Sequence, residues 1–545
     1  MTPRKCQPGC LLLLCWCLCA TSLAGVASAQ GLDPQKLLQS DPTDTWPTYN
    51  GDYSGRRFSP LTQIELSNVH ALSLAWMFRV RIGGGAMRGV GEPDIKSTPL
   101  MVNGILYFTI PDHVFALDAR TGLELWHYDW VDSGGHLIGN RGVGMKGNWL
   151  YFLAPDGWFI SLDAQTGKER WRKKIADEKM QYFTTGAPMV VGNHVIVGVG
   201  GDAIDLPGYL EAHDPETGEL QWRWNSEPRK GEPGSETWPN ETAMVHGGGM
   251  TWLPGTYDKD LNLLYWGTGN ANPVMAGQGR NGADLWTCSI VAINADTGKL
   301  AWYFQGSPHD THDWDNTETP VLFDAEIDGK PRKLLAQASR NGYFFVLDRT
   351  NGASIVSKPF VPLNWSKGID AKGQPIPDKQ REPTIDGNLL TINGGGGTNW
   401  MPPSYSPQTG LFYVNAVLGY SLTYLTDTSE HPEGYGGSIR NLWSQHVLEA
   451  LDHKTGEVKW SHPYSNADAG GGGGSPGVLT TAGGLLFSGD PVGNLIAFNA
   501  ANGEILWHFP MLRALGNGPE TYLLDDRQYV IAGGGDTLYA FTLVH

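Results

Sequence analysis

Ala116-Leu117-Asp118-Ala119-Arg120-Thr121-Gly122, followed by Trp126, is the stretch that decides the fold. The same pattern returns at Ser161–Gly167 with Trp171, Ala212–Gly218 with Trp222 and Ala292–Gly298 with Trp302. It returns again at Ala450–Gly456 with Trp460 and Ala497–Gly503 with Trp507. A degenerate copy, Val346–Gly352, lacks the Trp. Each copy reads as a hairpin: a short apolar strand, a turn in which Asp or Asn accepts backbone bonds and Gly supplies positive φ, and a second strand carrying the Trp. Further β runs lie upstream, such as Gly104–Phe108, Asn148–Phe152 and His194–Val197. Units of about four short strands every 45–70 residues are propeller blades. Seven copies plus the tail strand Leu538–Phe541 predict an all-β, eight-bladed β-propeller, with the tail closing the ring against N-terminal sequence. Each Trp is expected to pack between blades with its N–H on a backbone acceptor.

Composition agrees. A chain of 545 residues would ordinarily hold several domains, but repeats absorb length. Glycine at 72 residues, tryptophan at 21 and only 17% charged residues describe a turn-rich β protein, and 40% hydrophobic residues exclude a disordered chain. The net charge of −17 argues against binding nucleic acid or anionic membrane by bulk charge.

Residues 1–29 read as a secretory signal peptide: Arg4 and Lys5, an apolar run from Leu11 to Ala20, and an Ala27-Ser28-Ala29 cleavage site. That predicts a periplasmic protein with a single propeller domain over 30–545. Five of the six cysteines lie in the leader, so only Cys288 remains beyond it and no internal disulfide is expected there. No C-x-x-C-H haem attachment motif and no further stretch with the length and apolarity of a transmembrane helix are present.

The Ala-x-Asp-x-x-Thr-Gly-x-x-x-Trp repeat, with Trp46–Asp52 and Arg57–Leu61 near the start, resembles the tryptophan-docking sequence of quinoprotein alcohol dehydrogenases. The resemblance runs from about residue 44 to the end. It implies an eight-bladed propeller carrying pyrroloquinoline quinone (PQQ) and one metal ion. The implied substrate is a small alcohol or aldehyde, and the implied electron acceptor is a soluble cytochrome c. A fold alone does not assign a function, and similar repeats occur in non-catalytic outer-membrane assembly propellers, which is the alternative reading.

The site residues follow from matching stretches. Trp252, in Gly247–Trp252, matches the Trp under the quinone ring, and Asn270, in Trp266–Asn270, matches a metal ligand whose oxygen suits a hard cation. In Ser307–Asp315, Asp313 matches the catalytic base and a metal ligand. Asp315 marks lanthanide-using members, which favours a lanthanide over calcium: a trivalent ion gains from one more carboxylate. Arg340, in Ser339–Gly342, matches the group that stabilises charge on the reduced quinone. Arg141 and Thr185 match groups that bind the cofactor, and Asn399 and Trp400 match a loop that closes over it.

Three departures stand out. Gly135 and His136 occupy the places of a vicinal cysteine pair. The Glu ligand of the resemblance falls on Asp202, with Asp205 as the other choice. A Glu that the resemblance places near the cofactor falls on Lys96, with Glu92 nearby but out of register. A zinc site at His309 and His312 is disfavoured because the other donors are oxygens. Substrate identity is not readable, and the oligomeric state is open, with a homodimer among the options.

Overall fold

The computed structural model describes residues 31–38, 41–81, 94–131, 138–201, 205–464 and 476–544. The signal-peptide reading, Gly135, His136 and Asp202 lie outside them. Among the described residues the strands form antiparallel sheets of four or five strands and one two-stranded ribbon, Ser366–Ile369 with Pro375–Pro377. One sheet of the set takes a parallel edge strand, Phe58–Ser59, against Leu479–Thr481. Among the described residues no helix is long and apolar enough to cross a membrane.

The repeats form the hairpins expected of them. His113–Asp118 pairs with Glu124–Asp129, with a register shift at Ala116/Leu117. At the turn, Asp118 Oδ1 accepts from the backbone N–H of Arg120 (2.9 Å) and Thr121 (3.0 Å). An Asp here ties off the turn with its own carboxylate, which is why the repeat keeps Asp or Asn at this place.

Each repeat Trp reaches the next sheet, but Trp171, whose ring lies on Gly218, finds no acceptor for its Nε1 among the described residues, contrary to the expectation that every repeat Trp donates to a backbone carbonyl. Trp126 Nε1 donates to the Ala164 carbonyl (3.0 Å), Trp222 to Ala295 (2.9 Å), Trp302 to Arg349 (3.2 Å) and Trp460 to Ala500 (3.2 Å). The indole lies on the repeat glycine of that neighbour. Gly298 has φ 67°, and a Cβ there would stand 2.6 Å from Trp222 Cε3. Glycine therefore serves both the left-handed backbone and the close approach of the ring. Where the degenerate copy lacks its Trp, Val356 and Lys358 pack toward Gly456 instead.

Closure uses the chain's two ends. Thr537–Leu543 pairs antiparallel with Leu72–Arg79, placing Phe541 opposite Leu74 and Ala540 opposite Trp76. Trp76 then donates to the Ala119 carbonyl (3.1 Å), and Trp507 donates to the Leu72 carbonyl (3.0 Å). The tail strand thus meets N-terminal sequence, as the repeat count requires. The described chain is a β-propeller whose apolar core fills the gaps between successive sheets. Phe344, Phe345, Trp302 and Phe412, from three sheets, share one cluster.

Truncating a docking tryptophan removes its ring contact with the neighbouring sheet's glycine and its bond to that sheet's carbonyl. Trp222→Ala should lower stability by about 3–5 kcal/mol. Thermal unfolding followed by circular dichroism checks this; an unchanged midpoint would contradict the docking role.

Candidate active site

In a four-stranded antiparallel meander, the loops between sheets and the loops joining second to third strands emerge at the same end. Arg141, Thr185, Trp252, Asp313 and Asp315 lie on connections between sheets, and Asn399 and Trp400 lie at the entry to Ser404–Ser406, between two strands that both pair with Leu411–Leu425. Asn270 follows Leu263–Gly267, and Arg340 follows Lys330–Ala338; both join second to third strands. The topology therefore brings all these sequence-selected residues to one end of the propeller.

There they make a charged centre. Asp315 Oδ1 accepts from the Asn270 backbone N–H (2.6 Å). Asp315 Oδ2 accepts from Trp252 Nε1 (3.0 Å) and Arg340 Nη1 (3.3 Å). Arg340 Nη2 donates to Asp313 Oδ2 (2.8 Å), so one guanidinium bridges two carboxylates. Burial works against the Arg340 charge, but Asp313 and Asp315 outweigh it and hold its pKa above the ordinary arginine value. Gly269 has no side chain because a Cβ would come within 2.9 Å of Asp315 Oδ1. Asn270 spends its Nδ2 on the Ala271 carbonyl (3.1 Å) and Asn272 Oδ1 (3.1 Å), which leaves its amide oxygen as the donor suited to a cation.

The loop before this centre is held from behind. The Asp310 carboxylate accepts from the backbone N–H of His312 (3.2 Å) and Trp314 (3.0 Å). His312 stacks on Trp314, with centroids 4.6 Å apart, and its Nε2 meets the Arg381 carbonyl at 3.1 Å. His309 faces Asp284 instead, at 3.5 Å. The two histidines thus have different surroundings and do not pair on one ion. Asp313 itself has φ 65°, a left-handed backbone that short polar side chains tolerate.

Arg141 stands opposite. It is 3% exposed, and its Cζ lies 5.0 Å from the Trp252 ring centroid and 4.9 Å from that of Trp400. Among the described residues its Nε and Nη1 find no acceptor. Burial pulls its pKa down to about 10, with Tyr49 acting the other way. A buried guanidinium with unmet N–H groups between two indoles is an arrangement that calls for an anion. Thr185 links Arg141 to Trp252: its carbonyl accepts from the Arg141 N–H (3.0 Å) and its Oγ1 lies 3.5 Å from the Trp252 carbonyl.

Two selected residues have other visible partners. The Asn399 amide serves its own loop, donating to the Gly395 carbonyl (3.1 Å) and accepting from the Trp400 N–H (2.8 Å). Asp205 Oδ1 accepts from the Gly434 N–H (3.1 Å), which ties it to a distant turn. Among the described residues no three His, Cys, Asp or Glu side chains converge as a metal cluster. The oxygen donors that gather are Asp313, Asp315 and Asn270.

Glu318 was not visible from sequence. It is 3% exposed, its Oε2 meets no partner, and burial raises its pKa to about 8, with Asp315 adding to the rise and Arg340 opposing it. Nothing in Asn316-Thr317-Glu318 marks an acid as buried. Only its spacing after Asp315 could have raised the question.

Comparison with known proteins agrees with this geometry. The family model described as glucose/ethanol/alcohol dehydrogenase, beta-propeller domain, of the PQQ type, matches residues 46–388. A model of the outer membrane protein assembly factor BamB matches 444–543. The chain is 35% identical to the quinohemoprotein alcohol dehydrogenase ADH-IIG of Pseudomonas putida, over 94% of this chain and 75% of that one. It is 33% identical to the lanthanide-dependent methanol dehydrogenase of Methylacidiphilum fumariolicum, over 95% of this chain and 89% of that one. The crystal structure of quinohemoprotein alcohol dehydrogenase from Comamonas testosteroni superposes with a TM-score of 0.85 at 33% identity, covering 94% of this chain and 82% of that one. The chain belongs to the PQQ-dependent alcohol dehydrogenase family, and it is an oxidoreductase of that class.

The raised Glu318 pKa makes a stability prediction for the metal-free chain. Between the ordinary glutamate pKa of 4.5 and about 8, the folded state keeps a proton that the unfolded state has lost. Glu318 thus makes stability fall as pH rises through that window. Glu318→Gln should gain on the wild type as pH goes from about 5 to about 8, read by thermal unfolding. A pH-independent difference between the two would contradict the buried, protonated carboxyl.

Proposed function

We propose that the chain oxidises a primary alcohol, or an aldehyde, with PQQ lodged against Trp252 and a metal ion beside Asp315. The observation that carries this is Arg141, buried between two indole rings with two N–H positions lacking an acceptor. A planar acidic group meets both needs at once, since it stacks on an indole and accepts from a guanidinium. PQQ, when bound, supplies an electrophilic ortho-quinone that takes up hydride.

The chain's residues then divide the work. Trp252 gives the stacking surface, and Arg141 with Thr185 binds the cofactor's polar edge. Trp400 and Asn399 close the loop above. Asp313 takes the hydroxyl proton of the substrate at a carboxylate oxygen. Arg340, 2.8 Å from Asp313, fixes that carboxylate and places positive charge where electron density accumulates on reduction. The metal's donors in this reading are Asp313, Asp315, the Asn270 amide oxygen and Asp202.

The finer points belong to the same reading. Asp315 as a second carboxylate next to Asp313 favours a lanthanide over calcium, and a lanthanide-dependent relative at 33% identity supports this. Among the described residues the four- and five-stranded sheets number eight, which supports an eight-bladed ring forming one domain over 30–545. The leader supports export to the periplasm, and a soluble cytochrome c is the electron acceptor in this reading. The scaffold alternative is weaker, because its model covers 444–543, a stretch holding none of the site residues.

The test is reconstitution of purified protein with PQQ and either calcium or a light lanthanide, followed by dye-linked oxidation of short alcohols and aldehydes. Asp313→Asn should lower kcat by about 10²–10⁴-fold while PQQ absorbance shows the cofactor still bound. Asp315→Ala should lose lanthanide-supported turnover. Activity untouched by either change would overturn these roles.

A further inference from the structure

Lys96 and Arg141 are neighbouring cations in a chain of net charge −17. Residues 96–98 run beside residues 138–141, and the Thr98 N–H donates to the Arg141 carbonyl (3.2 Å). Lys96 Nζ donates to the Ile138 carbonyl (2.6 Å), and its stem lies so close to Gly139 that a Cβ there would meet Cδ at 2.8 Å. The ammonium is thus folded back along the segment that carries Arg141. Burial, then the Arg141 charge, lowers the Lys96 pKa, while Asp94 works the other way. Among the described residues Arg141 keeps Nε and Nη1 without an acceptor.

Arg340 makes the contrast. Its charge is met by two carboxylates, at 2.8 Å and 3.3 Å. Among the described residues neither Lys96 nor Arg141 is met by a carboxylate at such a distance. Two like charges, one of them deeply buried, are costly together unless an anion sits between them. The acid-rich side of the site suits a metal, and the Arg141 side suits the carboxylates of a polyanionic ligand.

We propose that Lys96 is a second cationic residue for the cofactor's carboxylates, acting with Arg141. This rests on the PQQ reading of the site. Arg141 supplies a buried, directional contact, and Lys96 supplies a half-exposed charge at its rim.

The experiment titrates PQQ into the full chain freed of cofactor, following quenching of tryptophan fluorescence at low and high salt. Lys96→Met and Lys96→Gln should each raise Kd about ten-fold and flatten its salt dependence, because one charge-assisted contact is lost. Lys96→Arg should bind close to wild type. Using both neutral variants guards against one that folds poorly. If both bind as wild type with the same salt dependence, while Arg141→Met does not, the Lys96 assignment falls and the PQQ reading stands. If the folded wild type does not bind PQQ, both fall.

Discussion

The contact between a repeat tryptophan and the glycine of the next sheet is what the rest of the structure depends on. It requires a bare Cα at Gly298 and its counterparts, and it gives the indole N–H a carbonyl one sheet away. The same ring-on-glycine contact recurs around the ring, at Trp171 without the N–H bond, and closure passes through Trp507, Leu72 and Trp76. With the sheets locked side by side, their loops are delivered to one end. A site assembled from six or more loops is thereby given a common base.

That base carries an uneven distribution of charge. On one side Arg340 lies between Asp313 and Asp315, whose two carboxylates meet its charge even though burial opposes it. On the other side Arg141 is buried, stacked and uncompensated. Burying an unbalanced charge opposes folding, so the imbalance is better read as a property of function than of stability. It separates a cation-binding half from an anion-binding half within one pocket, with Trp252 touching both through its indole N–H and its ring face.

Much of this was legible in the sequence because it is periodic or local. The repeat named the hairpins, the docking tryptophans and the closing strand, since each depends on residues a few places apart. Trp252, Asn270, Asp313, Asp315 and Arg340 were legible because they sit in short distinctive stretches, and the fold brings them within hydrogen-bond reach. What was not legible is what depends on burial. Glu318 looks like any surface acid, yet it is enclosed. The Arg141 stack on Trp400 joins residues some 260 positions apart, with no local signal. Asn399 was selected by its stretch as a cofactor contact, and its amide is engaged by its own loop.

The central claim is that the Arg141 side of the pocket takes a planar anion and the Asp315 side takes a metal. A crystal structure of the chain grown with PQQ and lanthanum tests both halves at once. The account predicts ring density on the Trp252 face with a carboxylate at Arg141, and an anomalous peak within bonding distance of Asp315 and the Asn270 amide oxygen. Arg141 still enclosed by Trp252 and Trp400, with no anomalous peak beside Asp315 at saturating PQQ and lanthanum, would contradict it.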